Sequence, residues 1–72
     1  MQDINKVRTA VPIEHKVALT KYEAAEYSNI GINKIEAMLR EPGCPFVLHV
    51  GQNKRLVKRK EFEEFISTSF VI

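Results

Sequence analysis

Five of the eleven Lys and Arg residues lie in the stretch Lys54-Arg55-Leu56-Val57-Lys58-Arg59-Lys60, which holds no acidic residue. Cations at that density suit phosphates. Each phosphate neutralised releases condensed counterions, so log affinity for B-DNA falls with log salt by about 0.9 per contact. A net charge of +2 spread over the chain carries no such implication. A short basic run is also a common form of solvated surface, so its meaning depends on the elements that present it.

Other chemistries find little support. The lone cysteine, Cys44, allows no disulfide within the chain, and His15 and His49 do not stand at zinc-finger spacing. Cys44 lies between Pro42-Gly43 and Pro45, where it is expected to pack in a tight connection rather than act as a thiol nucleophile. There is no phosphate-cradling glycine loop and no Cys-His nucleophile arrangement. The expectation is a non-enzymatic protein with no cofactor and no metal, kept in a reducing compartment.

At 72 residues the chain makes one small domain that removes about 60% of its unfolded surface from water. Residues 1–17 read as a flexible arm, with Lys6 and Arg8 against Asp3, and residues 18–72 as the domain. Met1 to Ala10 has no apolar run suited to a signal peptide or a membrane span, so the expected location is cytoplasmic, with no membrane partner.

The elements that position the cations follow from periodicity and capping. Thr20-Lys21-Tyr22-Glu23 is a capping box that starts a helix at Lys21, with Leu19 and Ala24 placed as a hydrophobic staple. Ala24, Ala25 and Tyr27 or Ser28 give this helix a narrow apolar face, and Asn29 and Gly31 interrupt it. A second helix spans about Ile32 to Arg40. It buries Ile32, Ile35, Met38 and Leu39 and turns Asn33, Lys34, Glu36, Ala37 and Arg40 outward. Glu41-Pro42-Gly43-Cys44-Pro45 ends it.

Phe46 to Val50 reads as a strand with Phe46, Leu48 and Val50 on its buried face and Val47 and His49 on the other. Gly51-Gln52-Asn53 is a turn, and Lys54 to Lys58 returns antiparallel with Arg55 and Val57 on one face. From about Arg59, Phe62, Phe65 and Ile66 mark a third helix with Glu61, Glu63 and Glu64 facing water. The predicted fold is α+β: a small winged helix-turn-helix in which a two-stranded hairpin wing and a C-terminal helix follow the helix pair.

The segments Leu19-Thr20-Lys21-Tyr22-Glu23-Ala24-Ala25-Glu26-Tyr27, Ile30-Gly31-Ile32-Asn33-Lys34-Ile35 and Leu56-Val57-Lys58-Arg59-Lys60-Glu61-Phe62-Glu63-Glu64-Phe65-Ile66 carry a resemblance. The chain resembles the excisionases, or recombination directionality factors, of conjugative transposons, within the MerR-like winged-helix group. That resemblance implies a DNA-binding, non-enzymatic protein that binds double-stranded DNA near the ends of an element. It further implies DNA bending and the direction of a tyrosine integrase toward excision, with further copies on adjacent sites.

On that basis Asn33, Lys34, Ala37 and Arg40 would face the major groove, where asparagine reads adenine and a cation reads guanine or holds phosphate. Gln52, Asn53, Lys54 and Arg55 would set the wing in or beside a minor groove, and Lys58, Arg59 and Lys60 would anchor the backbone. Related excisionases often carry further basic residues where this chain has Glu36 and Ala37. A transcriptional regulator of a mobile element would use the same surface. A protein-interaction module would instead use Phe70-Val71-Ile72, its cations serving solubility.

Overall fold

The computed structural model describes residues 11–72. The expectation for Asp3, Lys6 and Arg8 lies outside them. Helix α1, Lys21–Ser28, starts where the capping box requires: the Glu23 N–H donates to Thr20 Oγ1 at 3.1 Å, and the Thr20 N–H donates to Glu23 Oε1 at 2.9 Å. Leu19 and Ala24, the two ends of the staple, are both fully buried.

Asn29 stops the helix in the left-handed region at φ 63, its N–H donating to the Ala25 carbonyl. Ile30 and Gly31 complete the turn, and α2, Ile32–Arg40, follows. Ile35 and Leu39 are its buried residues and Met38 packs against the core as the periodicity requires, whereas Ile32, at the first turn, is only half-buried. Gly43, at φ 82, then turns the chain toward the sheet, and Cys44 packs against the core in this connection.

The sheet departs from expectation in two ways. Ala18–Leu19 forms a strand, β1, so that β2, Val47–Val50, and β3, Lys54–Lys58, belong to a three-stranded antiparallel sheet of order β1-β3-β2. Two residues are too few for alternation to announce a strand.

The faces of β2 are also reversed. Val47 pairs with Val57 and packs against the core, whereas Leu48 and Val50 are 38% and 42% exposed. Phe46 is buried, but it reaches the core from the turn before the strand. Counting alternation from Phe46 therefore assigns the wrong face. In β3 the expected face is observed, with Val57 buried in line with Arg55.

Helix α3, Arg59–Ser67, follows β3 directly. Phe62 is fully buried, and the Phe46 ring lies 5.0 Å from Phe62 and 5.2 Å from Phe65, both tilted. This trio joins the root of the wing to α3. Phe70 and Val71 are exposed.

Glu63 does not simply face water. Its carboxylate accepts from the Tyr27 hydroxyl on α1 and from Arg59 Nη1 at 3.0 Å. Arg59 Nε donates to the Lys16 carbonyl at 2.7 Å and the Arg59 amide to Val17, while Lys16 pairs with Glu23. Of the segment read as an arm, residues 13–15 thus form a 3-10 turn whose Ile13 packs on the core, and residues 16 and 17 are bonded to α3.

These contacts perturb the two carboxyls. The Lys16 ammonium, then the Thr20 amide, hold Glu23 below the ordinary 4.5. The Tyr27 hydroxyl and Arg59 lower Glu63 against the opposing effect of partial desolvation.

Truncating Phe62 to alanine is expected to cost about 3–5 kcal/mol, enough to unfold most of so small a domain. Phe70→Ala should stay within about 0.5 kcal/mol, and urea denaturation followed by circular dichroism reads both. A second expectation concerns acid. Because the folded pKa values of Glu23 and Glu63 lie below the unfolded value, the unfolded chain takes up protons first as pH falls. Their contribution is complete above about 4.5 and is lost as pH drops through the folded values. Thermal melts between about pH 6 and 3 should show that loss. Glu23→Gln should make the decline shallower while lowering stability at neutral pH.

Candidate nucleic-acid interface

Helix α2 presents Asn33, Lys34, Ala37 and Arg40 to solvent, because burial of Ile35 and Leu39 fixes the rotation of the helix about its axis. All four residues read from the sequence as a groove-facing surface are exposed. Glu36 lies between them and is half-buried, because Lys21 at the start of α1 reaches across to its carboxylate. The ammonium, mainly by this hydrogen bond, lowers the Glu36 pKa, and Glu36 raises that of Lys21. The expectation of a simply solvated glutamate is thereby replaced by an interhelix ion pair.

The wing turn is set by Gly51 at φ 67, a conformation that favours glycine. Gln52, Asn53, Lys54 and Arg55 are exposed around it. Register places Lys54 opposite Val50 and Arg55 opposite His49, and alternation sends neighbouring β3 side chains to opposite faces.

The basic stretch is therefore divided by the fold. Lys54 and Arg55 stand at the end of the wing, half-buried Lys58 and exposed Lys60 near its root, and Arg59 is held inward by Lys16 and Glu63 with a side chain only 15% exposed. Among the described residues, no ion pair engages Lys34, Arg40, Lys54 or Arg55.

Between α2 and the wing lies an open cleft. Its walls are Thr20, Lys21 and Tyr22 from the start of α1, Glu36, Leu39 and Arg40 from α2, and Asn53, Lys54, Arg55 and Leu56 from the wing. Lys21, Arg40, Lys54 and Arg55 outnumber the one carboxylate, Glu36. The arrangement suits a polyanion. Sequence reading missed Lys21 and Tyr22 as parts of it, and the only local signal, their place just after the cap, speaks of helix initiation. Among the described residues, no cluster of three or more His, Cys, Asp or Glu side chains forms a metal site, and no helix is long and apolar enough to cross a membrane.

The family described as the excisionase from transposon Tn916 matches residues 4–72. The excisionase from transposon Tn916 of Streptococcus agalactiae serotype V, strain ATCC BAA-611 / 2603 V/R, is 36% identical over 61 residues, which span 85% of this chain and 91% of that protein. No solved structure matches at a significant level. A family match over nearly the whole chain, joined to a relative of this identity and coverage, shows that the chain belongs to the Tn916 excisionase family, whose members are non-catalytic DNA-binding factors of transposon excision.

Proposed function

We propose that this protein binds double-stranded DNA near the ends of its element, bends it, and thereby directs a tyrosine integrase toward excision in the cytoplasm. The observation that carries this reading is the placement of two exposed polar surfaces on either side of one cleft: the α2 face of Asn33, Lys34, Ala37 and Arg40, and the wing turn from Gln52 to Arg55. A helix fits a major groove about 12 Å wide, and the neighbouring minor groove is narrow enough to concentrate negative potential at A·T-rich steps.

In this reading Asn33 reads adenine, Lys34 and Arg40 take guanine or phosphate, and Ala37 lets the helix approach closely. Lys54 and Arg55, with Gln52 and Asn53, enter or border the minor groove. Lys58 and Lys60 hold the sugar-phosphate backbone, and Arg59 joins them only by giving up its bonds to Lys16 and Glu63.

Smooth bending of a short site by tens of degrees costs on the order of 1–6 kcal/mol, more than one small module readily supplies. Further copies on adjacent sites, or contact with the integrase, contribute the remaining interactions. The recombination chemistry belongs to the integrase.

Titration of the protein into fluorescent duplexes, one from an element end and one scrambled, at several salt concentrations tests the binding. The end duplex should be preferred, and Lys54→Ala with Arg55→Ala should reduce the log–log salt slope by about two. Energy transfer between dyes at the duplex termini should rise on binding as the ends approach, and adding integrase should stabilise the bent complex. Equal, feeble binding to both duplexes, with no change in energy transfer, would sink this reading.

A further inference from the structure

The cleft between α2 and the wing has a shape and charge that the surfaces on its two sides do not explain by themselves. We propose that it seats the single phosphodiester strand dividing the two grooves, with Lys21 and Tyr22 of α1 holding that strand and Glu36 restraining it. The proposal rests on the DNA-binding reading above and assigns a part of the duplex to a part of the protein.

Adjacent major and minor grooves are separated by one sugar-phosphate backbone. If α2 enters one groove and the wing the next, that backbone must cross between them, where the cleft lies. Each strand of DNA carries about one negative charge per 3.4 Å of axis, so a strand laid there meets Lys21 and Tyr22 on one wall and Arg40, Lys54 and Arg55 on the others.

Tyr22 is 67% exposed. Its ring lies 5.4 Å from the Lys21 ammonium, close enough for the two to present one cation and one hydroxyl together. Such contacts set position and register without reading sequence.

Glu36 gives the cleft a second property. Its carboxylate occupies the Lys21 ammonium in the absence of DNA and places a negative charge beside the path of the strand. Phosphate must compete with that carboxylate for Lys21 and approach it against repulsion. Affinity for any duplex is thus held down by a residue on the same helix that reads bases, while the preference between duplexes is left to the base contacts.

The test uses the full chain with the end and scrambled duplexes. Lys21→Gln should lower the salt slope by about one and weaken both duplexes by the same factor, and Tyr22→Phe should weaken both equally with the slope unchanged. Glu36→Gln should tighten both in equal proportion, a gain that a damaged fold would not produce. End duplexes carrying one neutral methylphosphonate at successive positions should reveal a short run of phosphates on one strand where the wild-type protein loses affinity and Lys21→Gln loses no more.

A wild-type protein that prefers the end duplex, while Lys21→Gln and Glu36→Gln leave affinity and slope unchanged, overturns the cleft assignment and leaves the broader function standing. A wild-type protein with no preference, yet with these slope changes and that phosphate run, supports the cleft and overturns site-specific binding. Failure to bind either duplex overturns both.

Discussion

Across the centre of the sheet run Leu19, Val57 and Val47, paired in register, and the positions of the exposed α2 face and of the wing turn depend on that row. Val57 and Leu19 are fully buried. Leu19 immediately precedes the threonine that caps α1, and Val57 lies two residues before α3 begins. Strand side chains alternate with a period of two, so a slip of one residue would send Val57 outward and bring Leu56 or the charged Lys58 to its place in the core. Such a slip would also rotate Lys54 and Arg55 to the wrong faces of the wing. The apolar row therefore determines where the cations point, although it touches none of their expected ligands.

The helix pair is placed by the same core. Ala24 allows α1 to pack closely, and Ile35 and Leu39 orient α2, with the Phe46, Phe62 and Phe65 rings filling the space between the wing root and α3. Electrostatics completes the frame where apolar contact is thin. Lys16 with Glu23, and Arg59 with the Lys16 carbonyl, attach the segment before β1 to the helices, and Tyr27 with Glu63 ties α1 to α3. These partly exposed pairs contribute little individually, and their value lies in geometry. They use two of the chain's cations internally, so the number of Lys and Arg residues overstates what is free on the surface.

Membership of the Tn916 excisionase family gives these arrangements their functional setting. A protein of 72 residues has a small surface, and this one divides it between a helix face and a wing separated by a cationic cleft. The contrast between Lys54 or Arg55 and Arg59 is instructive. All three belong to one basic stretch, yet Arg59 has exchanged solvent for a carbonyl and a carboxylate of its own chain.

Much was legible in the sequence because it rests on local physics. The Thr20–Glu23 capping box, the Asn29 helix end, the buried stripe of α2, the wing turn and the packing of Phe62 follow from interactions within a few residues or from a regular period. The identities of the exposed α2 and wing residues follow from the same patterns. Tertiary structure alone decided the rest. It recruited Ala18–Leu19 as a third strand, directed Phe46 inward from outside β2, turned Arg59 toward Lys16, and brought Lys21 to Glu36 across the helix pair. Each depends on groups distant along the chain meeting in space, and local propensity and periodicity carry no term for such a meeting.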